Sequence, residues 1–95
     1  GYIIGEVSKL WRVDSDNILL ADMRIANKVY LFDGQGNMRY ALDDYGQGPG
    51  QFNALWDVQF NPHRRTVETW DLTQHKLMAF GLESGQLEEE FVIRQ

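Results

Sequence analysis

Lys28-Val29-Tyr30-Leu31-Phe32-Asp33, with Gly36 after it, is echoed 48 residues later by Lys76-Leu77-Met78-Ala79-Phe80-Gly81 with Gly85. Leu10-Trp11-Arg12-Val13 is echoed 45 residues later by Leu55-Trp56-Asp57-Val58. Each unit consists of short alternating runs separated by turn residues, so it cannot bury its apolar faces alone and must stack on a neighbour of its own kind. Repeats of about 40 to 50 residues that read as strands have the size and pattern of four-stranded β-propeller blades.

The strands follow from period-two alternation and its interruptions. Val7 to Val13 alternates, with Val7, Trp11 and Val13 on one side and Ser8 and Arg12 on the other. Asp14-Ser15-Asp16-Asn17 is a turn cluster leading into Ile18 to Asp22; Met23 to Asn27 connects to Lys28 to Asp33, and Gly34-Gln35-Gly36-Asn37 turns into Met38 to Asp44. Gly46-Gln47-Gly48-Pro49-Gly50-Gln51-Phe52 then breaks regular structure, because glycine admits positive φ and proline removes a donor. The second unit runs Leu55 to Phe60, Thr66 to Asp71, His75 to Gly81 and Gln86 to Ile93. No stretch of ten residues keeps a capped helical period. The expectation is a single all-β domain over 1–95: blade one over about 6–45, an inter-blade loop over 46–54 and blade two over about 55–94.

Charge and composition remove whole classes of function. Fourteen acidic residues against nine basic ones give a net charge of −5, which repels phosphate backbones and excludes nucleic acid as a partner. The chain has no cysteine, hence neither disulfide framework nor thiolate metal site. Its longest apolar runs, Tyr2-Ile3-Ile4 and Asn17 to Ala21, are far below the roughly 20 residues of a membrane span. A start at Gly1 rather than Met suggests processing or engineering, with a removed leader or an expression scar as the two readings.

The chemical motifs read more simply as structure. Gly46-x-Gly48-x-Gly50 lacks the helix N-terminus that a phosphate-cradling loop requires. Asp14-Ser15-Asp16-Asn17 lacks the glycine and bidentate glutamate of a calcium loop, and Ser84 is misplaced for a nucleophile elbow. His63 and His75 have no ligand partners at metal-site spacing and read as surface residues. Glu88 and Glu90 share a strand face and read as solvated edge charges. Trp11 and Trp56 occupy matching positions in the repeat, which argues for core packing before ligand stacking; Trp70 is the third tryptophan.

Three segments carry a family resemblance: Ile4-Gly5-Glu6-Val7-Ser8-Lys9-Leu10, Val29-Tyr30-Leu31-Phe32-Asp33 with Gly36, and above all Gly46-Gln47-Gly48-Pro49-Gly50-Gln51-Phe52. The chain resembles NHL-like six-bladed β-propeller proteins of bacterial envelopes, many of them lipoproteins, and the last segment looks like their Gly-x-Gly-Pro-Gly-x-Phe/Tyr inter-blade loop. The resemblance implies a periplasmic or surface-exposed setting. It also implies an alternative function, a propeller hydrolase or lyase with a divalent cation in the channel, for which Asp22, Asp57 and Asp71 are the first carboxylates to consider.

Two blades leave faces open, so the ring is completed either by self-association, three copies of two blades making six, or by missing blades of a longer chain; a monomeric eight-stranded sandwich is the third arrangement. In a blade, the loop after strand two and the loop to the next blade emerge on one side. That gathers Arg24, Asn27, Gln47, Gln51, Phe52, Asn53 and Gln74 into a polar rim around an aromatic. No nucleophile is paired with a base there. The reading is therefore a non-enzymatic module binding a protein or carbohydrate, with no catalytic residue, no metal ligand and no cofactor.

Overall fold

The computed structural model describes residues 5–94, so Tyr2, Ile3 and Ile4 of the opening segment lie outside the described residues. It contains two four-stranded antiparallel sheets and, among the described residues, no helix. The first has the order β1 (Lys9–Asp14), β2 (Asn17–Asp22), β3 (Lys28–Phe32), β4 (Met38–Leu42); the second has β5 (Leu55–Asn61), β6 (Thr66–Asp71), β7 (Lys76–Gly81), β8 (Leu87–Val92). Every strand pairs with its sequence neighbour, the meander of a propeller blade. The chain divides into two compact units, Gly1–Asp43 and Asp44–Gln95, each holding one sheet.

In the first sheet both faces carry apolar side chains, as expected for a layer stacked on both sides. Leu19 and Leu31 pair across the sheet, Ala21 pairs with Val29 and Val29 with Leu42, and all five are buried. On the opposite face Leu20, Tyr30 and Phe32 form a cluster flanked by Ile18 and Ala41, with the Tyr30 and Phe32 rings stacked 6.1 Å apart. Burial, then the charges of Asp22 and Asp43, push the Tyr30 hydroxyl above its ordinary pKa. Val7 precedes β1 and is exposed, so the alternation starts later than the sequence pattern indicates.

The turns are closed by side-chain oxygens. Asp14 Oδ1 accepts the Asp16 amide at 2.8 Å, Asp33 Oδ1 accepts the amides of Gln35 and Asn37 at 2.9 Å each, and Asn61 Oδ1 accepts that of His63 at 3.0 Å. Ser84 is a turn residue whose hydroxyl accepts the Gln86 amide at 3.1 Å. Gly36, with φ 88°, and Gly85, with φ 68°, occupy the left-handed positions of their turns.

Strand pairing revises the repeat. Leu10 pairs with Leu20 and Val58 with Thr69, while Asp22 and Asp71 close β2 and β6, so the paired strands of the two sheets correspond at an offset of 48 to 49 residues, except at the first hairpin, where Asp14 corresponds to Asn61. The match of Trp11 with Trp56 at 45 residues is a coincidence of sequence: Trp11 lies opposite Leu19, and its counterpart is Gln59, opposite Glu68. Trp56 is the extra residue of a bulge between Leu55 and Asp57, and it is 66% exposed rather than in the core.

The second sheet buries Val58, Val67, Met78 and Phe80 on one face. Thr69 sits among them, and among the described residues its hydroxyl has no hydrogen-bond partner. Thr69→Val keeps the shape and removes a desolvated hydroxyl, so a gain of about 1 kcal/mol is expected, read as a higher denaturant midpoint at unchanged m-value.

Candidate functional site

Asp71 ends β6, where the chain must reverse into β7, and its side chain is fully buried. A buried carboxylate requires donors on its oxygens. Oδ2 accepts the Asn53 amide at 2.7 Å and Gln74 Nε2 at 2.8 Å; Oδ1 accepts the Thr73 amide at 2.9 Å, its hydroxyl at 2.8 Å and the Gln74 amide at 3.3 Å. Burial alone would raise the pKa, but these hydrogen bonds from Asn53, Thr73 and Gln74 outweigh it and hold the carboxyl below its ordinary value. One side chain thus ties the β6–β7 turn to the end of the glycine-rich loop.

That loop is fastened from within as well. Gly46 and Phe52 are joined through the Phe52 carbonyl at 3.2 Å, and the Gln51 side chain accepts the Gly48 amide at 2.9 Å while donating to Asp44 at 3.1 Å. Gly46 has φ 146°, and a Cβ there would collide with the Gln51 carboxamide; Gly50 has φ 75°. Gln74 Nε2 also reaches the Gly46 carbonyl at 2.9 Å. The buried Lys76 ammonium donates to the Gly48 carbonyl at 3.0 Å and pairs with Glu90 Oε1 at 3.0 Å, and that oxygen accepts the Gly50 amide at 3.1 Å. Glu90 is therefore an anchor of the loop rather than a solvated edge charge; Glu89 pairs with Arg64, and Glu88 is exposed.

These contacts sort the residues expected to form the polar rim. In the second unit, Gln47 and Asn53 are exposed, whereas Gln51 and Gln74 are half-buried with their amides engaged in the loop. Phe52 is fully buried and meets the Tyr45 ring edge-on at 5.3 Å, so Tyr45, 44% exposed, is the aromatic that reaches solvent. Leu72, Thr73 and His75 on the β6–β7 turn are exposed, and His75, with φ 51°, stacks on Trp70 at 6.1 Å. In the first unit, Arg24 is exposed, with Glu6 at 3.9 Å, and Asn27 takes the same left-handed conformation as His75, with φ 57°. Asp22 repeats the role of Asp71: it is buried, accepts the amides of Glu6, Ile25 and Arg24 at 2.7, 2.9 and 3.2 Å, and is held below its ordinary pKa although burial pulls the other way. Tyr45 and Lys76 escape a reading of the sequence, apart from the Lys28–Lys76 match in the repeat, and Glu90 reads there only as an edge charge.

The carboxylates considered for a channel cation are each engaged by hydrogen bonds within their own unit. Asp22 and Asp71 spend their oxygens on amides, and Asp57 accepts the Val58 amide at 2.9 Å and Gln59 Nε2 at 3.0 Å. Among the described residues, no three His, Cys, Asp or Glu side chains are grouped to hold a metal. A polar cleft of about 400 Å³ lies between the β1–β2 and β3–β4 turns of the first sheet, lined by Ser15, Asp16, Asp33, Gly34, Gln35 and Arg39.

Two meanders with a buried aspartate closing the second strand of each, joined through a glycine-rich loop, define the class as β-propeller blades. The chain belongs to the 6-bladed beta-propeller family DUF5128, whose profile matches residues 2–93. It is similar in structure to a protein of Bacteroides fragilis NCTC 9343 predicted to be exported, with a TM-score of 0.84 at 16% identity over 97% of this chain. The chain spans 25% of that protein's length. No curated protein sequence matches it.

Proposed function

We propose that this chain is a non-enzymatic binding module of an NHL-like propeller working in the bacterial envelope, its ring completed by self-association or by further blades of a longer chain. The observation that carries the binding role is the loop over 46–54: fastened by Asp71, Gln74, Lys76 and Glu90, it presents Gln47 and Asn53 to solvent beside Tyr45, which precedes it, on a backbone already ordered before any ligand arrives. Polar amides beside one aromatic ring suit a carbohydrate or an extended peptide. The export predicted for the Bacteroides fragilis protein supports the envelope setting.

The test is a panel of immobilised envelope oligosaccharides and peptides. Tyr45→Ala, Asn53→Ala and Gln47→Ala are each expected to weaken a captured ligand at least tenfold with melting unchanged. Capture that survives all three substitutions removes this loop from consideration.

A further inference from the structure

The two turns that flank the polar cleft of the first sheet are joined differently from their counterparts in the second. There, Leu82 follows Phe80 by two residues and is fully buried, its amide donates to the Arg65 carbonyl at 2.9 Å, and Arg65 Nε donates to Glu83 Oε1 at 2.8 Å, so an apolar side chain and an ion pair close the β5–β6 and β7–β8 turns together. In the first sheet Gly34 takes the place of Leu82, and a Cβ on it would collide with the Ser15 carbonyl. The turns touch through backbone at that point, and Arg39 spans them by donating to the Asp16 carbonyl at 3.3 Å rather than to a carboxylate.

Arg39 is the extra residue of a bulge, between Met38 and Tyr40. The matching residue of β8, Glu88, lies over its own turn, where a Cβ on Gly81 would collide with its carboxylate. Arg39 leans over the β3–β4 turn in the same way: the Asn37 amide, with the Gln35 amide and the Arg39 charge behind it, holds Asp33 below its ordinary pKa. Asp33 Oδ1 is spent on those two amides and Oδ2 accepts only Asn37 Nδ2, at 3.3 Å. Arg39 uses one of its five donors, and among the described residues the Asp16 carboxylate, the Ser15 hydroxyl and the Gln35 carboxamide make no hydrogen bond.

We infer that this cleft binds a neutral polyhydroxylated ligand, a sugar residue. Its walls mix acceptors, Asp16 and Asp33, with donors, Arg39 and Gln35, and a hydroxyl group is the ligand group that donates and accepts at once. An anion would face the Asp16 charge. A calcium ion would face the Arg39 charge and two carboxylates, one of them largely spent, where it takes six to eight oxygens. The volume of about 400 Å³ falls in the range of roughly 300 to 1,000 Å³ of small-molecule sites, and the polar walls select a hydrophilic occupant. The cleft is built from the turns of the first sheet alone, so it stands apart from the reading of the loop over 46–54.

Amide chemical-shift mapping tests it, with glucose, galactose, mannose and N-acetylglucosamine added to millimolar concentrations. At least one sugar is expected to shift the Ser15, Asp16, Gly34 and Gln35 amides saturably. Asp16→Asn and Arg39→Gln, both at exposed positions, are each expected to weaken that binding about tenfold, while unchanged β2 and β3 amides show that the sheet has folded. Cleft amides that respond to inorganic phosphate or calcium in place of the sugars make this an ion site and overturn the inference. So do cleft amides that no sugar moves, and binding that survives both substitutions. Sugar shifts confined to Gln47 and Asn53 overturn the cleft and leave the loop standing.

Discussion

Asp71→Ala is expected to be the most damaging single substitution in the second unit, lowering stability by about 3 to 5 kcal/mol. It strips the acceptor from the Asn53, Thr73 and Gln74 amides at once, and each buried donor left unpaired costs about 1 to 3 kcal/mol. Against a total of roughly 5 to 15 kcal/mol for an ordinary domain, little would remain, and the melting temperature should fall by about 15 °C or more. Asp71→Asn keeps one acceptor and should cost less than half as much. Asp22→Ala should act similarly on the first unit, where the amides of Glu6, Arg24 and Ile25 depend on it.

The same carboxylates set the response to acid. Asp22 and Asp71 have folded pKa values below their ordinary value of 3.8, so their contribution is fully present above that pH and is lost as pH falls through the lower folded values. Circular-dichroism melts of the unsubstituted protein should therefore hold level down to about pH 4 and then drop. Asp71→Asn should start lower and drop less steeply. An Asp71→Asn profile parallel to that of the unsubstituted protein at every pH would show that the aspartate charge contributes nothing.

Much of the architecture can be read from sequence because turn chemistry and alternation are local. The β3–β4 hairpin is marked by Gly34-Gln35-Gly36-Asn37, β6 begins and ends where the Thr66 to Asp71 run does, and Lys28 and Lys76 are true counterparts. Trp56 reads as core but faces solvent for a definite reason: one extra residue in a bulge turns a side chain outward, and no composition rule marks a bulge. The loop residues divide on the same principle. Gln51 and Phe52 are conspicuous in the motif, but whether they face a ligand or the loop's own backbone depends on Asp44, Tyr45 and Gly48, which only the folded chain brings to them. Asp22 and Asp71 stand out as carboxylates in apolar strands. Their purpose emerges only when the amides they collect, from as far away as Asn53 is from Asp71, are seen together.

Lys76 was the least legible residue, and the second large effect is expected there. It belongs to an apolar strand, is 3% exposed and holds two distant segments at once: the Gly48 carbonyl in the loop and Glu90 on β8. Burial would raise the Glu90 pKa, but the Lys76 ammonium and the Gly50 amide more than compensate and hold it below its ordinary value. Removing the ammonium alone leaves a half-buried carboxylate without its counter-charge and a carbonyl without its donor, so Lys76→Met should cost about 3 kcal/mol. Glu90→Gln, which retains an acceptor for the Gly50 amide, should cost about 1 kcal/mol. Because each partner makes the other's burial tolerable, the double variant should lose clearly less than the sum of the two, with a coupling of about 1 to 2 kcal/mol in a denaturant double-mutant cycle. Hydrogen exchange locates the damage: in Lys76→Met the Gly50 amide should exchange at least tenfold faster while amides at the centre of β6 keep their protection. Additive losses, or a Gly50 amide unchanged by Lys76→Met, would mean that the loop is held by Asp71 and Gln74 alone.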